Sequence, residues 1–408
     1  MKMINNINLC SGECGLKTQS GEQSIGFIIG NFGKGIGGHY WDLKTISEKL
    51  NTKNEIIVFN VGVDKSPVLE QTNVKVIDVP LSFFKATASI KNNIRKYNVA
   101  AIYSIDIRVD FISMLVCNLF KIPLIMIKPG GPNPNGYYPV MNDLIVFSSE
   151  NYEYFLNSNE HKDTNIHFMP NRSSLVNTNN KLVTEIINKV SQDSFKFVQV
   201  IRITKDYYNN LLQSIDLIRK LKNDNFNVSL IIIGVVQDIE TMTLIEDYAQ
   251  GLPVYFFSSN EYTKCGSELL GVGDIVIANG RSVMEASSLS LPTLVSAKNT
   301  SIPVLLNKNI FAQAFSVNFS PRFELPLNEK SELENYESIK ELVLDKNRLA
   351  EMKEFSKVIF EKYFNVDNVL EKYLTIANEA TFKRMTFKAH LFMMKKYLSS
   401  IVKMRLKL

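Results

Sequence analysis

Cysteine is scarce in this chain: four residues in 408, namely Cys10, Cys14, Cys117 and Cys265. Cys117 and Cys265 sit in apolar surroundings and read as small core residues. Cys10-x3-Cys14 has no nearby Cys or His to complete a ligand set, so no zinc site is expected. Nothing in this usage demands an oxidising compartment. Long apolar runs are also missing. The N-terminus lacks the apolar core of a signal peptide, and no run of about 18 apolar residues offers a transmembrane helix. A cytoplasmic protein is expected. The chain shows no repeat or low-complexity block, no Ser/His/Asp triad, no cluster of metal ligands and no aromatic-basic pattern of a nucleic-acid binder.

What is present is ordinary globular composition, 45% hydrophobic and 21% charged. The length suits two α/β domains of roughly 150–200 residues each. The net charge of +5 is unevenly spread: residues 381–408 hold eight Lys/Arg and no acid, so the rest of the chain is mildly acidic by difference.

Residues 1–23 are polar, bear Gly and Ser, and are weakly patterned. Ile25–Ile29 is the first convincing strand. It runs into a Gly-rich turn, Gly30-Asn-Phe-Gly33-Lys-Gly35-Ile-Gly37-Gly38, and then a helix over Trp41–Leu50. Gly33-x-Gly35-x-x-Gly38 matches the dinucleotide pattern literally. The acidic residue that should follow about 20 positions on is absent, because the next strand, Glu55–Asn60, ends on Asn60. Nor does the loop fit a Walker A pattern. Two readings stay open, a turn that lets backbone approach a ligand and a plain flexible connection. Strands at Val74–Val79, Ala100–Tyr103, Pro123–Ile127 and Leu144–Phe147, with a helix over Phe111–Phe120, continue the alternation. Between the last two strands lies Lys128-Pro-Gly-Gly-Pro-Asn-Pro-Asn-Gly136-Tyr-Tyr-Pro139, which can be neither helix nor central strand. It is a binding loop at a strand's C-terminal end or a rigid domain-edge connection.

After His167-Phe-Met-Pro170-Asn171-Arg172, residues 173–193 are rich in Asn, Ser and Thr and place the domain boundary. Phe195–Ile201 opens the second domain as a strand, followed by Arg202-Ile-Thr-Lys205 and an amphipathic helix through Leu211, Ile215 and Ile218. Val228–Gly234 reads as a buried parallel strand, and Val254–Phe257 as another. Residues 336–373 read as helical. The expected layout is residues 1–185, 186–355, a crossover region 356–380 and a basic tail 381–408.

The stretch Gly271–Val295, GVGDIVIANGRSVMEASSLSLPTLV, is the most informative. Asp274–Ala278 is strand-length and apolar, Asn279-Gly280-Arg281 breaks it, and Ser282-Val-Met-Glu285 opens a helix as a capping box. Pro292 stops that helix before a parallel strand, Thr293–Val295. Such a turn aims backbone N–H groups and a helix N-terminus at one point, where a phosphate can sit. This stretch resembles the donor loop of the two-domain retaining glycosyltransferases of family 4. The likeness covers roughly residues 24–375 and includes the strand ending in Pro170-Asn171.

The resemblance implies an α/β protein of GT-B architecture: two Rossmann-like, doubly wound parallel-sheet domains facing a central cleft. The acceptor would lie in the first domain and the nucleotide-sugar donor in the second. The helical C-terminal region would cross back onto the first domain. Arg202 and Lys205 resemble the family's basic pair that grips the diphosphate, though Lys205 comes a residue or two early. Glu285 resembles the carboxylate that bonds the donor ribose, with Gly280, Arg281 and Ser282 as its turn; a capping role alone is the competing reading. The family's first carboxylate falls on Ile277, and its first-domain histidines are replaced by Lys128 and Asp106. Lys128 would offset charge, Asp106 would orient an acceptor hydroxyl, and His39 would lie on the acceptor side. A solvated loop pair for Arg202 and Lys205, a surface arginine at 281, a loop-entry aspartate and an inert histidine are the plain alternatives. Gly37, Gly38, Gly130 and Gly131 would let backbone approach phosphate or acceptor.

Transfer of this kind does not intrinsically need a metal or cofactor, because fixed cations and helix dipoles can stabilise the diphosphate. The tail places Phe382, Met385, Ala389, Phe392 and Met393 on one helical face. It reads as a surface for an anionic membrane or an acidic lipid-linked acceptor, or as a helix packing on its own protein. The expected function is hexosyl transfer from a nucleotide-sugar to a polysaccharide or lipid-linked glycan, peripheral at the inner face of the plasma membrane. A catalytically silent scaffold for an active transferase, motivated by Ile277, and a nucleotide-sugar epimerase are the rivals.

Overall fold

The computed structural model describes residues 23–264, 266–326 and 329–406, the side chains of 329 and 330 aside. Cys10, Cys14, Cys265 and the polar N-terminal segment lie outside the described residues.

The first domain runs β1 Ser24–Asn31, α1 Gly38–Leu50, β2 Ile56–Gly62, β3 Lys75–Pro80, α2 Phe83–Lys96, β4 Val99–Ser104 and α3 Asp110–Phe120. It continues with β5 Leu124–Lys128, β6 Asp143–Val146, α4 Ser149–Leu156 and β7 Asn165–Phe168. Its seven parallel strands are ordered β3-β2-β1-β4-β5-β6-β7. All eight residues of β1 are buried, as expected of a central strand covered on both faces. The sequence reading left 83–96 unassigned. Its buried positions, Ala86, Ile90 and Ile94, recur at four-residue spacing on one face of α2.

The second domain comprises α5 Asn180–Lys189, β8 Phe195–Val200, α6 Tyr208–Asn223, β9 Val228–Ile233, α7 Ile239–Tyr248, β10 Val254–Phe257 and α8 Asn260–Thr263. Then come β11 Ile275–Ala278, α9 Arg281–Ser288, β12 Thr293–Val295, β13 Val304–Leu305, α10 Lys308–Ser316, α11 Glu329–Leu344 and α12 Lys346–Ile359. The order β10-β9-β8-β11-β12-β13 is parallel except for the antiparallel β12–β13 pair. In α/β sheets of this winding, ligands sit where the strand order reverses. Here those points are β1/β4 and β8/β11.

The single long helix expected over 336–373 is broken. After α12 the chain passes through a π-helical turn, Phe360–Phe364, and a 3-10 turn, Val366–Val369, before α13 Leu370–Glu379. Phe360 and Phe364 belong to the second domain's core, whereas Val366, Tyr373 and Ile376 belong to the first domain's. The break is therefore the crossing point itself. Tyr103 anchors it: the fully buried hydroxyl donates to the Tyr373 carbonyl at 2.5 Å, and the two rings meet edge to face at 5.5 Å.

The tail forms α14 Phe387–Arg405, capped by Thr386, whose hydroxyl accepts from the Ala389 N–H. The face offered by the sequence pattern is turned inward. Ala389 and Met393 are buried, and Met385 and Phe392 pack against the same cluster under β5 and β6.

Asp110, at the start of α3, is fully buried; one oxygen accepts from Ser104 and the other has no hydrogen-bond partner among the described residues. Burial pushes its carboxyl up to about 8. An unfolded Asp loses its proton near pH ~4, so between there and pH 8 the native state holds a proton that the unfolded chain has released. Stability therefore falls as pH rises through that window. Asp110→Asn should flatten this slope in denaturant titrations run from pH 5 to 8. An unchanged slope would place the proton elsewhere.

Candidate functional site

A cleft of about 700 Å³ separates the domains, lined by the loops after β1, β5, β8, β9 and β11. Two helices point their N-termini into it from opposite sides. Gly37 and Gly38 start α1, and Gly280, Arg281 and Ser282 start α9. Neither terminus has a side-chain cap, so positive dipole ends face one space.

The capping box expected at Ser282 and Glu285 is absent. The cap is Gly280, at φ 55° and ψ −125°, where a side chain would be strained, and Ser282 is already inside the helix. Glu285 reaches instead to Arg281 one turn back, at 2.8 Å from Nε. Arg281 is the hub of the interdomain wall. Its guanidinium also bonds Asp42 and Thr45 of α1 and the Arg172 carbonyl. Burial raises Asp42 and Glu285 against the pull of Arg281. Burial alone would lower Arg281, but the two carboxylates hold it above its usual range. Glu285 lines the cleft while locked into this cluster.

Arg202 lies exposed in the cleft, its guanidinium 3.2 Å from the Tyr207 hydroxyl and over that ring. Lys205 is not beside it: it pairs with Glu240 of α7 at 3.0 Å and does not line the cleft. Lys264, just after α8, does line it, as does Lys34. Neither stood out in the sequence, because an exposed lysine in a loop carries no spacing signal.

Gly234 follows β9, and a Cβ there would stand 1.8 Å from the Ile201 carbonyl oxygen. Gly234→Ala must push the β8 and β9 loops apart at the residue before Arg202. The expected cost is about 1–3 kcal/mol by urea denaturation.

In the first domain Asp106 is held by Arg108, whose Nε donates to both carboxylate oxygens at 2.8 and 3.0 Å. A Cβ at Gly30 would come within 2.7 Å of Asp106, so β1 and this loop touch because position 30 has no side chain. His39 borders a smaller hollow with Asp42, Arg172 and Tyr373. Burial lowers its pKa, with Arg108 and Arg202 adding to the effect and Asp106 opposing, so the imidazole is neutral near pH 7. Lys128 is turned onto its own loop, donating to the Gly130 carbonyl at 2.6 Å and the Pro132 carbonyl at 3.1 Å. Burial lowers it to about 8, with Arg322 adding and Glu150 opposing. Gly130 and Gly131 have positive φ, 99° and 79°, which the turn requires. Gly37, Gly38 and Gly131 line the cleft, but His39, Asp106, Lys128 and Gly130 do not.

Ile277 is fully buried in the second domain's core and also lines the cleft, so an apolar side chain stands at the position of the absent carboxylate. Polar groups without partners among the described residues also line the cleft, one of them Gln199, in register with Ile277 on the neighbouring strand. Among the described residues, neither amide atom of Gln199, which is 1% exposed, has a hydrogen-bond partner, nor do Asn318 Oδ1 and Ser320 Oγ. A glutamine inside the apolar run of β8 is the one of these that the sequence displays. Trp41, the chain's single tryptophan, forms part of the first-domain wall of the cleft. No group of three or more His, Cys, Asp or Glu among the described residues could hold a metal.

The fold is the GT-B fold. A glycosyltransferase of Rickettsia africae ESF-5 superposes with a TM-score of 0.66 at 16% identity, over 88% of this chain and 98% of its own. Anabaena HepE, crystallised with UDP and glucose, gives 0.63 at 14% identity, over 88% of this chain and 100% of its own. The UDP-GlcNAc 2-epimerase of Neisseria meningitidis bound to UDP-GlcNAc gives 0.53 at 14%, over 86% of this chain and 100% of its own. No protein-family model and no curated protein matches the chain by sequence.

Proposed function

We propose that the protein is a glycosyltransferase that takes a sugar from a nucleotide-sugar and moves it to a hydroxyl of a polysaccharide or lipid-linked glycan. The observation that carries this is the convergence of two uncapped helix N-termini and Arg202 on one interdomain cleft at both sheets' switch points. Such a site suits a diphosphate, whose growing charge on bond cleavage is met by fixed dipoles and a guanidinium. Lys264 is the second cation of that grip in place of Lys205. Gln199, Asn318 and Ser320 offer unpaired polar atoms to a hydroxyl-rich ligand, a role the family gives to a carboxylate that Ile277 replaces here. His39, neutral and partly buried, is suited to take a proton from the acceptor hydroxyl, with Asp106 shaping the field around it. The nucleotide-sugar complexes among similar folds support the donor class. The same likeness in the epimerase favours a second reading, turnover of donor with no acceptor present.

The test is thermal unfolding of the purified chain against a panel of nucleotides and nucleotide-sugars. A donor held at a hundred times its Kd should add about 2.7 kcal/mol of stability. Quenching of Trp41 fluorescence provides an independent readout. No response to any nucleotide from folded protein would move the reading to the silent scaffold. Product formed from donor alone would move it to the epimerase.

A further inference from the structure

Helix α14 has two apolar faces, and the fold uses one. It packs across α3, and Tyr397 donates its hydroxyl to the Leu81 carbonyl ahead of α2. The opposite face carries Phe387, Leu391, Leu398 and Val402, with Leu406 just beyond the helix end. Steps of four and seven residues keep these on one side of a helix. Each is more than half exposed, and Phe387 reaches 82%. A lone exposed leucine needs no explanation, whereas an aligned row does. Phe84 at the start of α2, on the same side of the sheet, is also 82% exposed.

The exposed charge carried by the helices beside this row is of one sign. Helices α2 and α14 carry lysine and arginine and no carboxylate, and the one acid of α3 is the buried Asp110. Lys395 and Lys403 have no carboxylate within ion-pair distance among the described residues. Lys388 lies 3.8 Å from Glu160.

We propose that the outer face of α14, with Phe84, docks on an anionic phospholipid bilayer. The row of large apolar side chains would enter the boundary between headgroups and acyl chains, and the lysines would extend their stems toward the phosphates. The helix would lie flat, since no helix among the described residues is long and apolar enough to cross. A second copy of the chain is a poor occupant, because pairing this face with itself would bring like charges together. The proposal is independent of what the cleft binds.

The experiment is co-sedimentation of the full chain with vesicles of phosphatidylcholine alone and of phosphatidylcholine with phosphatidylglycerol. Binding should require the anionic lipid and weaken with salt. Lys395→Gln and Lys403→Gln should each lower it about fivefold. Leu391→Glu with Leu398→Glu should lower it at least about tenfold. These positions face solvent, so melting temperature and nucleotide response should stay as in the parent, which separates failure here from failure of the donor site. Equal binding to both vesicle types, no binding, or binding that survives both sets of substitutions overturns the proposal. So does a dimer in light scattering that Leu398→Glu converts to monomer, since the occupant would then be a second copy.

Discussion

Arg202→Ala is expected to abolish the nucleotide-induced rise in melting temperature and to cut kcat/KM about a thousandfold, some 4 kcal/mol of transition-state stabilisation. The argument rests on geometry. Arg202 follows a central strand of the second domain's sheet at its switch point, is exposed to the cleft, and among the described residues is bound by the Tyr207 hydroxyl and ring. It is therefore free to turn its fork onto a diphosphate. Its removal leaves no buried partner uncompensated, so the variant should fold with an unchanged denaturant midpoint. Arg202→Lys should recover part of the rate, since charge survives while the bidentate geometry is lost. Steady-state kinetics beside thermal shifts reads both. Full turnover by the Ala variant would exclude Arg202 from the chemistry, and normal binding with lost turnover would confine it to the transition state.

Arg281→Met should give the largest loss of stability, about 3–5 kcal/mol. The side chain is 11% exposed and joins Asp42 and Glu285, each 14% exposed. Without the guanidinium, two largely buried carboxylates face each other, and each must take up a proton or find water. The defect should thus be worst at alkaline pH and ease as pH falls. Its sign follows from burial, which already raises both carboxyls and would raise them further without the cation. Adding Asp42→Asn should restore part of the loss, a coupling that a double-mutant cycle measures. Because Asp42 and Thr45 belong to the first domain and Arg281 to the second, scattering should also show a wider spread of interdomain distances. A loss below about 1 kcal/mol would mean that the cluster behaves like a solvated pair.

The strands were legible because a strand covered on both faces must be apolar throughout, and that property is local. Asp274–Ala278 and Thr293–Val295 needed only their own residues, with Gly280 and Pro292 marking the breaks. The helix start after Gly280 was legible only to within a residue. Ser282 and Glu285 have the spacing of a capping box, but Arg281 competes for the carboxylate, and spacing alone does not rank the two bonds. The basic pair fails for the same kind of reason. Lys205 is near Arg202 in sequence, yet Glu240, 35 positions on, draws it outward, while Lys264 arrives in the cleft from α8.

By itself, then, the sequence determined the alternation of strand and helix, the two sheets and the turns at their C-terminal ends, because period, glycine and proline act over a few residues. Only the tertiary structure decided that Asp42 meets Arg281 across 239 positions, that Ile277 is core, and which side of α14 is covered. Those outcomes depend on which groups are desolvated together, and desolvation is a property of the assembled surface rather than of any segment.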